Sequence, residues 1–105
     1  MDLKKIENQI ATGEASLLYF SGTHCSVCQS LRPKLEKALI EHFPQLCFLN
    51  IDAQQHPEIA ASYMVFQVPT MLFFIDGKEY IRKGGNLSVP IFVEQIERLY
   101  KLYYR

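Results

Sequence analysis

The chain has 105 residues, 49% apolar and 21% charged, and its eleven Lys and Arg offset eleven Asp and Glu to a formal net charge of zero. That length and balance predict one domain, residues 1–105, with enough apolar residues for an ordinary core. They exclude disorder, collagen and coiled coil, and argue against a nucleic-acid or membrane-surface partner held by charge. No apolar run approaches the ~20 residues that span a bilayer. Residues 1–8 are amphipathic and acidic without an apolar signal region, so the expected compartment is the cytoplasm.

Asp2 is placed to cap a first helix whose apolar face is Leu3, Ile6 and Ile10, and Gly13 ends it. Leu17 to Phe20 is a short apolar run closed by Ser21-Gly22 and reads as a buried strand. Beyond Cys28, the residues Leu31, Leu35, Leu39 and Phe43 recur every fourth position, which predicts a helix ending before Pro44. Leu46 to Ile51 is a second strand. Pro57 suits the first turn of a short helix with Ile59, Ala60, Tyr63 and Met64 on one face. Met71 to Ile75 is a third strand, and Asp76-Gly77 a hairpin turn into a fourth, Glu79 to Arg82. After Gly84-Gly85, Ser88 caps a last helix with Phe92, Ile96, Leu99, Tyr100 and Tyr103 on its apolar face. Two strands joined by a helix predict a parallel βαβ unit, and the last two an antiparallel hairpin. The fold class is α/β.

Three cysteines are too few for a secreted disulfide framework. Cys25 and Cys28 fall where the first strand ends and the long helix begins. Unpaired N–H groups and the positive end of the helix dipole favour a thiolate there, and the thiolate is the reactive form of cysteine. Two intervening residues make one turn, which brings both sulfurs within bonding distance.

The run Gly22-Thr23-His24-Cys25-Ser26-Val27-Cys28, Pro33 five residues on, Leu49-Asn50-Ile51-Asp52, Val68-Pro69-Thr70 and Asp76-Gly77-Lys78 resemble the thioredoxin family over nearly the whole chain. The resemblance implies a three-layer α/β/α fold with a mixed central sheet of about four strands. It implies a thiol–disulfide oxidoreductase in which Cys25 is the nucleophile and Cys28 the resolving thiol. Pro69 is then a cis-proline facing the pair, and the Val68 backbone binds an extended substrate segment. His24, Ser26, Val27 and Gly85 support the groove, Gly85 standing where the family carries a glycine near its active site. Pro33 kinks the long helix. The implied partners are disulfide-containing protein substrates and a thioredoxin reductase or similar electron donor, for a monomer without cofactor or metal.

The departures are Ser26-Val27 between the cysteines, His24 in place of tryptophan, Tyr19 in place of a buried acid and Phe48 in place of its lysine. The acid and lysine assist proton transfer at the resolving cysteine, and their loss keeps a second reading open: a binding module with little turnover. The family's first edge strand is expected to be missing. A zinc site needs four ligands, and the candidates beside the pair are Cys47, His24, His42 and His56. Cys47 lies in an apolar strand, where cysteine acts as a small hydrophobe. His24 is either a charge that favours the thiolate or an exposed loop residue. Tyr100, Tyr103 and Tyr104 read as packing with an exposed edge.

Overall fold

A computed structural model describes residues 1–104. The elements, in order, are α1 (Leu3–Ala11), β1 (Ser16–Ser21), α2 (Ser26–His42), β2 (Cys47–Asp52), α3 (Pro57–Ser62), β3 (Thr70–Ile75), β4 (Lys78–Gly84) and α4 (Val89–Tyr103). Local chemistry sets their ends. The Asp2 carboxylate accepts from the Lys5 N–H at 2.9 Å and starts α1. Pro57 opens α3, and Ser88 caps α4 with Pro90 in its first turn. Asp76 and Gly77 both take positive φ, 56° and 74°, the pairing that a tight two-residue hairpin requires.

The sheet runs in the order β2-β1-β3-β4. β1 pairs with β2 in parallel and with β3 antiparallel; β3 and β4 form the hairpin. α1 leads straight into β1, so no strand precedes it among the described residues. The two inner strands are buried on both faces, and alternation splits their side chains between two cores. Leu17, Tyr19, Met71 and Phe73 point to the side of Leu31, Leu35 and Leu39 from α2 and Phe92 and Ile96 from α4. Leu18, Phe20, Leu72 and Phe74 point to Ile6 of α1 and Ile59 of α3. The three layers are therefore α2 and α4, the mixed sheet, and α1 and α3.

The structure corrects three expectations. α3 stops at Ser62, and Met64 does not join its apolar face: it takes φ +53° and is 68% exposed. The turn after the helix reverses the chain, with the Val65 N–H returning to the Ala60 carbonyl at 2.9 Å. Tyr103 is 42% exposed rather than part of the α4 face, while Val93 is buried there. β4 is longer than the expected Glu79 to Arg82, running from Lys78 to Gly84. Pro33 lies inside α2 and supplies no N–H to the Gln29 carbonyl one turn back.

Candidate active site

Cys25 is the N-cap of α2. Its backbone is extended, and its Sγ accepts the Cys28 N–H at 3.2 Å. One of the donors that every helix N-terminus leaves unpaired is thus aimed at this sulfur, which also sits at the positive end of a 17-residue helix dipole. Cys28, three residues on, is disulfide-bonded to Cys25 with the Cα atoms 5.2 Å apart. Burial separates the two: Cys28 is 1% exposed, whereas Cys25 is half-buried at the surface. Ser26, Val27 and His24 are exposed around it.

The loop that carries Cys25 is fastened to the end of β2. The Thr23 hydroxyl donates to Asp52 at 3.1 Å, and the Thr23 N–H donates to the Gln54 side-chain carbonyl at 3.3 Å. Asp52 also accepts the N–H groups of Gln54 and Gln55 at 2.8 and 3.1 Å. These donors, the Gln55 N–H foremost, hold its carboxyl below the usual carboxylate range. The Gln29 amide reaches back from α2 to the Thr23 carbonyl at 2.8 Å. The bonds from Thr23 to Gln54 and Asp52 span 31 and 29 residues, which no local pattern shows, whereas Gln29 reaches back only six; a polar Asp-x-Gln-Gln run ending the half-buried strand β2 is the signal that marks them.

The Val68–Pro69 peptide is cis. A Cβ built on Gly22 would lie 3.3 Å from Val68 Cγ2 and 3.8 Å from Cys25 Cβ, so Val68 and Cys25 flank the same bare patch of backbone. The Gly85 N–H donates to the Pro69 carbonyl at 2.8 Å, and Gly85 takes φ +75°. The structure therefore assembles Cys25, Cys28, Val68, Pro69 and Gly85 from three separate segments at one end of the sheet.

Behind the pair, the Tyr19 hydroxyl donates to the Cys28 carbonyl at 2.8 Å, and its ring stacks on Phe48 with centroids 5.8 Å apart. Burial pushes the Tyr19 phenol up, the Arg32 guanidinium partly opposing. The group is a proton donor at neutral pH and no base. A cleft of about 400 Å³ lined by Ser21, Cys28, Gln29, Arg32 and Asn50 opens beside the buried sulfur.

Cys47 stands elsewhere. It pairs in register with Ser16, at the opposite end of β1 and β2 from the loop that holds Cys25. Five residues at about 3.3 Å each separate the two ends. Burial, with Glu14 adding to it, pushes the Cys47 thiol up, which keeps it in the unreactive form. Among the described residues no three His, Cys, Asp or Glu side chains gather as a metal site.

Comparison with known proteins agrees with this arrangement. The thioredoxin family model matches residues 2–98. The chain is 34% identical over 101 residues to the thioredoxin-like protein YdfQ of Bacillus subtilis, covering 96% of this chain and 89% of that one. It is 37% identical over 78 residues to thioredoxin of Chlamydia trachomatis, covering 74% of each. The crystal structure of Fasciola hepatica thioredoxin superposes with a TM-score of 0.76 at 34% identity, covering 91% of this chain and 89% of the other.

Proposed function

This chain belongs to the thioredoxin family and is a thiol–disulfide oxidoreductase, and we propose that Cys25 is its attacking thiol and Cys28 its resolving thiol. The observation that carries the assignment is the capped, accessible Cys25 Sγ against a buried Cys28. An N–H that caps a sulfur stabilises negative charge on it, which suits the attacking role.

The reduced Cys25 thiolate attacks one sulfur of a partner's disulfide. A Cys25–partner disulfide forms, and the other partner sulfur leaves as a thiolate that takes a proton from water. Cys28 then loses its proton and attacks Cys25 Sγ. The Cys25–Cys28 bond forms, the partner's second sulfur leaves reduced, and two electrons have passed from the dithiol to the partner. A thioredoxin reductase or similar donor returns them.

Val68 and Pro69 line the groove in which the partner's segment lies, with Gly85 keeping the Pro69 carbonyl in place. Ser26 and Val27 form its outer wall. His24, next to Cys25 and exposed, adds positive charge when protonated and favours the thiolate. The protein works as a cytoplasmic monomer on this reading. No helix among the described residues is long and apolar enough to cross a membrane.

The test is trapping. Cys28→Ser keeps the attacking thiol and removes its resolver, so partner proteins in a cell extract accumulate as adducts on non-reducing gels, and dithiothreitol dissolves them. Iodoacetamide should modify Cys25 first in the reduced wild type. Equal trapping by Cys25→Ser means that the roles are reversed or the pair is not catalytic, and equal labelling or first labelling at Cys28 counts against the assignment. The binding-module reading draws on the Tyr19–Phe48 pair, neither of which is a base at neutral pH; it requires that insulin reduction with dithiothreitol show no acceleration by the protein.

A further inference from the structure

The segment that leads into Pro69 carries two large apolar side chains with no partner. Phe66 is 84% exposed and Met64 68% exposed, the two most exposed of the large hydrophobic residues described. Exposed apolar area of this kind marks contact surfaces when it is contiguous. Here Phe66 forms a wall of two grooves. One, of about 270 Å³, runs from Phe66 over Ala61 and Pro57 to Val68. The other, of about 390 Å³, lies between Met64, Phe66 and Gly84. Val68 in turn borders the Gly22 patch beside Cys25. Val68 therefore links the Phe66 groove to the loop that carries Cys25.

The segment is also held rather than loose. Arg82 on β4 donates to the carbonyls of Tyr63 and Met64 at 2.7 and 3.2 Å while a fork of bonds ties it to Glu79 at 2.9 Å. Met64 is fixed in the left-handed conformation, φ +53°, which favours glycine over a side chain of this size. Among the described residues that line the two grooves, Arg82 is the one that carries charge. The nearby Arg82 spends its guanidinium on Glu79 and the two carbonyls.

We propose that Phe66 and Met64 form an apolar shelf that seats an uncharged, hydrophobic stretch of the polypeptide flanking the disulfide that Cys25 attacks. The proposal rests on Cys25 as the attacking thiol. It makes the two side chains determinants of which disulfides react, with no part in the exchange itself. A partner segment long enough to pass Val68 reaches Phe66; a small disulfide does not.

The experiment measures attack on synthetic peptides that each carry one cysteine as a mixed disulfide with nitrothiobenzoate, whose release is followed by absorbance. One peptide has a Leu-Phe flank, one a Ser-Ser flank and one a Glu-Lys flank. The reduced wild type should attack the Leu-Phe peptide about tenfold faster than the other two, as burial of part of one aromatic ring against the shelf implies. The Phe66→Ser/Met64→Ser variant should lose that preference and keep the wild-type rate on the Ser-Ser peptide. Phe66→Leu should retain most of the preference, which separates an apolar contact from a structural role. Equal rates on all three peptides in the wild type, preference for the charged flank, or preference surviving in the double variant each overturns the shelf. A wild-type dimer that the double variant abolishes assigns the shelf to a second copy instead. A wild type inert toward all three peptides overturns the Cys25 assignment itself and the shelf with it.

Discussion

The Tyr19 hydroxyl, buried in the middle of β1, donates a 2.8 Å hydrogen bond to the main-chain carbonyl of Cys28 in the first turn of α2. It therefore pins the backbone of the resolving cysteine to the central strand without offering that cysteine a base. The bond is structural, and the phenol stays protonated because burial disfavours its anion.

Tyr19→Phe should accordingly cost stability and spare chemistry. The Cys28 carbonyl keeps its helical donor, so the loss is one hydrogen bond, about 1 kcal/mol. Urea unfolding should show a lower midpoint with an unchanged slope. The rates of attack and of release on a small disulfide should stay within twofold of the wild type. A large fall in the release rate would assign the hydroxyl a part in moving the Cys28 proton.

Asp52 makes the active-site loop sensitive to acid. Its carboxyl is held below its ordinary value by the Gln55, Gln54 and Thr23 donors. A depressed folded-state value means that the stabilisation is complete above the unfolded-state value, near ~3.9, and is lost as pH falls through the lower folded-state value. Urea midpoints measured from pH 7 to pH 2.5 should therefore fall less steeply below pH 4 in Asp52→Asn than in the wild type. Amide exchange at Thr23 and Gln54 should quicken in the variant at neutral pH. Identical acid limbs in the two proteins would remove Asp52 from the account.

Gly85 isolates a backbone effect from a packing effect. A Cβ there meets nothing within 4 Å, yet φ is +75°. Gly85→Ala should cost about 1–2 kcal/mol from conformation alone, and Gly85→Asn less, because asparagine tolerates the left-handed region. Both variants keep the N–H that bonds the Pro69 carbonyl, so the reactivity of Cys25 toward a small disulfide should hold. A variant as stable as the wild type would show that the loop escapes to another conformation at no cost.

Element starts were legible because their signals are local. Asp2, Pro57 and Ser88 cap or open helices within a turn of themselves, and Cys25 stands out by its spacing from Cys28. The insertion of β3 between β1 and β4 was not legible, since β1 and β3 are separated by some fifty residues and no pattern in either names its neighbour. Met64 misled because its apolar character continues the α3 period, whereas the chain turns there in a conformation usually marked by glycine. Phe66 carried no signal for the same reason: an apolar residue in an apolar run reads as core, and only the turn at Met64 puts it outside. Tyr19 was visible as a departure from the family's acid, but the bond it makes spans nine residues and needs the packing of α2 on β1.

The last prediction restores what positions 19 and 48 lack. Their rings stack at 5.8 Å, so the two positions are side-chain neighbours behind Cys28. A resolving thiol buried among apolar groups resists ionisation, and neither ring takes its proton. Release of the partner should thus be slow relative to attack, which depends on the helix N-terminus at Cys25. Tyr19→Asp places a carboxylate behind Cys28 and should speed release while leaving attack little changed. It removes the stack and the bond to the Cys28 carbonyl, and a buried unpaired carboxylate costs several kcal/mol. Tyr19→Asp/Phe48→Lys supplies the opposite charge at the stacked position and should recover part of that loss while keeping the faster release. Stopped-flow measurement on a small disulfide resolves the two steps, and the double variant keeps the test open if the single one unfolds. A folded variant with an unchanged release rate would mean that the proton already leaves Cys28 by way of the polar cleft at Ser21, Arg32 and Asn50, so that the missing acid sets no limit on turnover.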